Sequence, residues 1–284
     1  MPRLPTMLLD GRTPSPADLD WLLASRALAF GEGVFTSLRV YNGQLVFCDD
    51  HFWRLRSGLE SLQSDLNAID WQVLNTELVE MAAQQQEGAI KVMLLAGPGG
   101  LGYQRAQTPQ WHRLLHPRPL QLNAQAYTAG IECWWQACPG TNPRAASKHL
   151  NRLSQVLASQ GCPTHFPEAL QYNLRGEIIE AIARNVFWFA DGCWHTPSLM
   201  TGALAGVMRR QLQQHLTAAK LRESEAGLDM LQQAEEVFVC NSLQGIWPVT
   251  SLHHSEGCLA RWQVGSETRK LMAEFHPQMG LPQI

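Results

Sequence analysis

The 284-residue chain carries 22 Lys plus Arg against 25 Asp plus Glu, a formal charge of −3, with 17% charged and 45% apolar residues. An average soluble domain is roughly 25% charged, so the composition excludes a disordered chain, and the near-neutral total argues against a nucleic-acid binder. At about 150 residues per domain, the length suits one large domain or two ordinary ones. The charge is unevenly spread. From Gly88 to Pro167 there is one acid, Glu132, and seven bases: Lys91, Arg105, Arg113, Arg118, Arg144, Lys148 and Arg152. That +6 block predicts an anionic ligand. Seven scattered cysteines without a C-x-x-C pair indicate reduced thiols in a cytoplasmic protein. The N-terminus lacks the apolar stretch of a signal peptide, and no apolar run approaches the ~20 residues of a membrane span.

In chain order, Ala29 to Val46 reads as two strands joined by Tyr41-Asn42-Gly43-Gln44, because Asn-Gly suits a type I′ turn. Asp49 or Asp50 is placed to cap a helix running to about Leu62, and a second helical pattern covers Trp71 to Gln86. Ala89 to Leu95 is an apolar strand ended by a glycine loop, Gly97 to Gly102. Proline-containing stretches surround a short strand at Trp111 to Leu115 and mark residues 116–125 as an interdomain linker. Gly130 to Ala137 is a strand containing Trp134-Trp135, expected to fill the core or a subunit interface. Lys148, Leu150, Leu153, Val156 and Leu157 fit a helix beginning near Ser147. Ala169 to Tyr172, Glu177 to Ala181 and Asn185 to Phe189 read as strands, and Asp191-Gly192 as a hairpin turn. Gly206 to Ala219 and Ser266 to Phe275 read as helices, with a strand at Glu235 to Cys240. Strands and helices mix without regular βαβ alternation, so the fold class is α+β with two lobes. The boundaries expected are 1–115, a linker at 116–125, and 126–284.

The loop Gly97-Pro98-Gly99-Gly100-Leu101-Gly102 matches G-x-G-x-x-G. A dinucleotide site also needs a helix opening at the loop and an acid about 20 residues on. Neither is present, and a ligand-side loop or a plain turn fits better. His253-His254 lacks a second ligand pair spaced for a metal.

Three stretches carry chemistry. Ser147-Lys148-His149-Leu150-Asn151-Arg152-Leu153 places a lysine in the acid-poor block, where crowding by positive charge makes an amine a better imine-former. In Gly176-Glu177-Ile178-Ile179-Glu180-Ala181-Ile182, strand alternation sets Glu180 between two isoleucines, which fits either a carboxylate pointing into a site or an edge-strand glutamate. Thr201-Gly202-Ala203-Leu204-Ala205-Gly206-Val207-Met208 is a small-residue entry to a helix, whose N–H groups suit a phosphate.

These stretches have the order and spacing found in the fold type IV pyridoxal-phosphate enzymes, and Phe30-Gly31-Glu32-Gly33-Val34-Phe35-Thr36-Ser37-Leu38-Arg39 resembles that family's FGDGVFxxxR signature. Lys91-Val92 leading to Gly99-Gly100-Leu101-Gly102-Tyr103, the KHLNRL stretch from Lys148, and Cys240-Asn241-Ser242 resemble its aminodeoxychorismate-lyase branch. The resemblance implies a smaller N-terminal α/β domain and a larger C-terminal domain with a pseudo-barrel sheet. It implies that Lys148, in the C-terminal domain, carries pyridoxal phosphate and acts as general base. Arg54, Val207, Met208 and Ser242 would meet the phosphate, and Asn151 would lie near the imine. Glu180 would pair with the pyridine nitrogen, where a carboxylate keeps the ring protonated. Ser37 stands where the lyases have a proton-donating threonine, while Thr36 points to the opposite strand face. Leu101 replaces an arginine of several lyases, which leaves Tyr103, Arg105 and Arg144 as candidates for a dicarboxylate substrate. A homodimer is implied. A D-amino-acid or branched-chain aminotransferase shares Lys148, Glu180 and Arg54, and an inactive cofactor-binding relative would need only the phosphate groups.

Overall fold

The computed structural model describes residues 4–138, 140 and 146–283; Arg144, a substrate candidate, lies outside the described residues. Two compact units emerge from the contacts: Met1–Gln121 with Ser147–Asn151, and Leu122–Ala146 with Arg152–Ile284.

Among the described residues the first unit comprises β1 (Leu8–Leu9), α1 (Asp18–Ala24), α2 (Arg26–Phe30), β2 (Gly33–Tyr41), β3 (Gln44–Leu45), α3 (Cys48–Ser61), α4 (Trp71–Gln85), β4 (Gly88–Ala96) and β5 (Trp111–Arg118). Its antiparallel sheet has the order β1-β5-β4-β2-β3. Alternation along β2 sends Val34, Leu38 and Val40 toward α3 and α4, where they meet Leu55, Leu59, Leu74 and Leu78 in one apolar core. The other face of β2 is left to Phe35 and Ser37.

Asn42 and Gly43 both take positive φ, as a type I′ turn requires. The strand expected from Ala29 starts at Gly33 instead. Residues 26–30 coil into a helix because Ser25 Oγ accepts the Leu28 N–H at 3.1 Å, and Gly31 at φ +65° stops it. Helix α3 also begins earlier than expected, after Phe47, so Asp49 and Asp50 sit inside its first turn and face the dipole rather than capping it.

The second unit comprises α5 (Ala124–Thr128), β6 (Ile131–Ala137), α6 (Leu153–Gly161), β7 (Glu168–Tyr172), β8 (Ile178–Ala181), β9 (Asn185–Ala190), β10 (Cys193–Pro197), α7 (Val207–His215), β11 (Leu221–Ser224), α8 (Leu228–Gln232), β12 (Glu236–Asn241), β13 (Gly245–His254), β14 (Gly257–Arg261) and α9 (Ser266–Met279). Among the described residues its mixed sheet has nine strands, running β11-β10-β9-β12-β13-β6-β7-β8 with β14 on β13, and curls as a half-barrel. The class is α+β, as expected. Trp135 on β6 is buried and stacks on Tyr172, and Trp134 stacks on His254. Arg184 lies 3.4 Å above the Trp247 ring centroid and 3.5 Å from Glu168, whose carboxyl burial pushes up to about 7.

The helix expected from Ser147 does not form there. β3 pairs with Val40 and Tyr41 at the end of β2, so among the described residues it does not cover the start of that edge. Residues 148–150 fill that edge: the Phe35 N–H donates to the Lys148 carbonyl at 2.9 Å and the Leu150 N–H to the Gly33 carbonyl at 3.0 Å. These ladder bonds satisfy backbone groups that a helix would have used, so α6 starts only at Leu153. They also group Lys148 with the first unit, where the sequence had placed it in the C-terminal domain. Leu153, Val156 and Leu157 are correspondingly exposed.

Candidate active site

In the first unit the site is built on β2. Lys148 Nζ lies 4.9 Å from the Phe35 ring centroid, and Lys91 Nζ lies 4.7 Å from the same ring. Lys91 is the cross-strand partner of Ser37, so two amines and a hydroxyl share the face of β2 that turns away from the helices. The lysine segment is pinned on both sides. Ser61 Oγ donates its single proton to the Gly58 carbonyl at 2.7 Å, so it accepts from His149 Nε2 at 2.9 Å. Gly31 and Gly33 let the segment approach. A Cβ on Gly31 would sit 2.9 Å from Asn151 Cβ, and one on Gly33 would sit 2.6 Å from Leu150 Cδ1. The two glycines of the signature are therefore seats for the residues that follow Lys148.

Between those glycines, Glu32 ties down the glycine loop. Its Oε2 accepts from Arg26 Nε at 2.7 Å, and its Oε1 from Arg105 Nε. Arg26 also donates to the carbonyls of Gly102, Tyr103 and Gln104 at 2.9, 3.0 and 3.2 Å. The loop opens no helix; it turns back at Leu101–Gln104. Arg105 Nη1 is spent on the Leu62 carbonyl, so Arg105 holds the loop in place. Tyr103 is 88% exposed and Leu101 82%, so the loop presents a phenol and a leucine at its tip. The acid-poor block is less unpaired than its sequence implies. Arg105 takes Glu32, and Arg113 takes Glu77 at 2.8 Å, both acids from outside it. Lys91 keeps a lowered pKa, mainly from burial and secondarily from the Arg118 charge.

On the opposite face of β2, Arg54 is 6% exposed on α3. Its Nη2 donates to Thr36 Oγ1, which lies 2.6 Å from His51 Nδ1. Burial and the neighbouring guanidinium hold His51 well below the usual imidazole range.

In the second unit the donors are mostly backbone. Glu180 is buried on β8, the terminal strand, and its Oε2 accepts the Leu204 N–H at 2.9 Å. All four residues of β8 are buried, so alternation does not separate a polar face there. The carboxylate is identified by its partner instead. Asn185 Nδ2 donates to the Leu204 carbonyl at 2.8 Å, and so both sides of this residue's backbone are gripped. Gly206 caps α7 without a side chain, because a Cβ there would collide with Asn185 Oδ1. The N–H groups of Val207 and Met208 open the helix and have no intrahelical acceptor. Ser242 is buried in the turn after β12, where Asn241 Oδ1 accepts from Leu243 N and Gln244 N at 3.0 and 2.8 Å.

Each unit holds donors of the kinds pyridoxal phosphate calls for. The first has a primary amine, which suits an aldehyde, and a guanidinium, which suits a phosphate; the second has a buried carboxylate, which suits a pyridinium N–H, and helix-opening N–H groups, which suit a phosphate. Lys91, Thr36, His51 and Glu32 were not singled out as site residues from sequence. Lys91 was findable as a cation opposite Ser37 in adjacent strands; the other three required the packing.

The amino-transferase class IV family model matches residues 33–252. An aminodeoxychorismate lyase of Vibrio harveyi is 28% identical over 269 residues, covering 89% of this chain and 95% of that protein. A D-alanine aminotransferase of Staphylococcus epidermidis is 24% identical over 283 residues, covering 95% and 96%. The crystal structure of 4-amino-4-deoxychorismate lyase from Pseudomonas aeruginosa superposes with a TM-score of 0.85 at 29% identity, covering 95% of this chain and 98% of that one. With its family model spanning the lysine, carboxylate and helix-entry stretches alike, the chain belongs to the class IV aminotransferase family.

Proposed function

We propose that the chain is a pyridoxal-phosphate-dependent lyase that cleaves 4-amino-4-deoxychorismate to 4-aminobenzoate and pyruvate. The observation that carries the reading is the hydroxyl of Ser37 on the strand face that also holds Phe35 and Lys91, where the reaction needs a proton donor. The names of the Vibrio and Pseudomonas relatives support it. In this reading Lys148 binds the cofactor, Glu180 keeps its ring nitrogen protonated, and Arg54, Ser242 and the N–H groups of Val207 and Met208 hold its phosphate, with Asn151 beside the imine.

When bound, the cofactor supplies an aldehyde that takes the substrate amine and a ring that withdraws electrons from the adjoining carbon. The amine of Lys148 removes the proton from that carbon as general base. The bond from the ring carbon to the enolpyruvyl oxygen breaks, the substrate ring becomes aromatic, and Ser37 delivers a proton to the enolpyruvyl methylene carbon to complete pyruvate. The proton that Lys148 takes up replaces the one that Ser37 gives, so atoms balance without water or an oxidant. Lys91, half-buried beside Ser37, supplies positive charge to a substrate carboxylate. Tyr103, exposed at the tip of the loop that Arg26, Glu32 and Arg105 hold, is the side chain that loop offers to the substrate. The enzyme works as a cytoplasmic homodimer, as the family resemblance implies. No helix among the described residues is long and apolar enough to cross a membrane.

The second reading, a D-amino-acid aminotransferase, is favoured by the Staphylococcus relative. Product analysis separates the two. Equimolar pyruvate and 4-aminobenzoate formed from 4-amino-4-deoxychorismate with no added keto acid support the lyase. Turnover of D-alanine that requires a keto acid, with no 4-aminobenzoate formed, overturns it.

A further inference from the structure

From the contacts behind β2 we infer that Thr36 and His51 are positioning residues for the phosphate end of the cofactor, holding the Arg54 guanidinium in one orientation through a directed hydrogen-bond relay. The inference rests on the proposed role of Arg54 and adds what sets its geometry. A threonine hydroxyl has one proton to give. Thr36 Oγ1 accepts from Arg54 Nη2 and lies 2.6 Å from His51 Nδ1, with Arg54 Nη2 itself 3.5 Å from that nitrogen; where Nδ1 is unprotonated, it accepts the threonine proton. The relay therefore runs Arg54 to Thr36 to His51, and it requires His51 to be neutral with its proton on Nε2. The burial of His51 and the nearby guanidinium charge favour a neutral imidazole.

The sequence places the three groups together for simple reasons. Thr36 lies on the helix-facing side of β2 with Val34 and Leu38, both core residues. His51 and Arg54 are three apart on α3, hence on one helix face, and Phe52 and Leu55 lock that helix into the core. A guanidinium is a planar fork, and its value toward a phosphate depends on the angle of that plane. Fixing Nη2 on a hydroxyl that is itself held by an imidazole removes rotation about the end of the side chain. All three residues are under a tenth exposed, so water does not compete for the relay. Thr36 and Ser37, adjacent in sequence, thus take separate jobs on the two faces of one strand: Thr36 orients the anion-binding cation, and Ser37 moves a proton.

The test compares binding of pyridoxal phosphate and of pyridoxal, which lacks the phosphate, by absorbance titration of the purified apoprotein, with thermal melts as a control on folding. Wild type should bind pyridoxal phosphate at least about 100-fold more tightly than pyridoxal. Thr36→Val, which keeps the shape and removes the hydroxyl, should cut that ratio about 10-fold while leaving pyridoxal affinity unchanged. His51→Leu should do the same. Thr36→Ser and His51→Asn, which retain a donor and an acceptor in place, should restore the ratio. If wild type fails to distinguish the two ligands, the phosphate role of Arg54 fails, and the inference with it. If wild type distinguishes them but Thr36→Val does so equally well, or loses both affinities in parallel, the relay is overturned while the role of Arg54 stands. Should His51→Leu not fold, the Val and Ser variants at position 36 decide the matter alone.

Discussion

The two units present their candidate site groups in different chemical forms. The first uses charged and hydroxyl side chains: Lys148, Lys91, Arg54 and Ser37. The second uses chiefly main-chain N–H groups at the start of α7, steered by Glu180 and Asn185 gripping Leu204. Side chains can be exchanged one at a time, and each leaves a mark in the sequence. Backbone donors are available only where the chain is held in one path, so their determinants are a glycine and the residues packed against it. Removing a group should therefore act mainly on chemistry in the first unit and mainly on geometry in the second.

The largest effect is expected in the first unit. Lys148→Ala should lower turnover about 1,000-fold or more, the loss of both imine-forming amine and general base. It should also abolish the visible absorbance that borohydride bleaches. Lys91→Met should keep that absorbance and raise KM for the substrate roughly 10-fold, the weight of one charge-assisted contact. Equal loss from both substitutions would erase the distinction drawn between the two lysines.

The second unit offers a buried charge that the proposed chemistry does not use. Glu168 has its pKa raised to about 7 from 4.5 by burial, against the pull of Arg184. The folded state therefore binds this proton more tightly than the unfolded chain does. Its contribution to stability is complete below about pH 4.5 and is lost as pH rises toward about 7. The loss is on the order of 2–3 kcal/mol if the carboxyl acts alone. Glu168→Gln should flatten that fall in denaturant titrations across the same window and leave the pH profile of turnover unchanged. A shifted turnover profile would move Glu168 into the site.

The smallest effect tests the backbone donors. Gly206→Ala puts a methyl group against Asn185 Oδ1 and should cost about 1–3 kcal/mol of stability by overpacking. Pyridoxal phosphate affinity should fall several-fold and pyridoxal affinity hardly at all. An unchanged affinity for pyridoxal phosphate would mean that the start of α7 does not hold the phosphate.

Much of the fold was legible because its signals are local. Asn42-Gly43 and Asp191-Gly192 turned as their left-handed preference demands, and Asp70 caps α4 through the N–H groups of Gln72 and Val73. The error at Ser147 was of another kind. Lys148, Leu150 and Leu153 have helical spacing, yet the edge at the start of β2, about a hundred residues earlier, captured residues 148–150 as ladder partners. No local window contains that edge. The same limit explains the charge block: Glu32 and Glu77 reach Arg105 and Arg113 across the fold, so a deficit counted along the chain overstated the free positive charge. Glu180 was legible as a carboxylate among isoleucines, but its contact with Leu204 N was not, because a backbone donor has no letter in the sequence. Thr36 was read only as facing away from Ser37; what it faces, His51 and Arg54, comes from helix packing.

Two amines lie beside the Phe35 ring at similar distances, 4.7 and 4.9 Å, and the proposed cofactor lysine is the second of them, Lys148. Borohydride reduction of the protein loaded with pyridoxal phosphate, followed by peptide mass mapping, reads that assignment directly. One phosphopyridoxyl group per chain, on Lys148 and absent from Lys91, is the predicted result. Label on Lys91, or no stable label on either lysine, would contradict it.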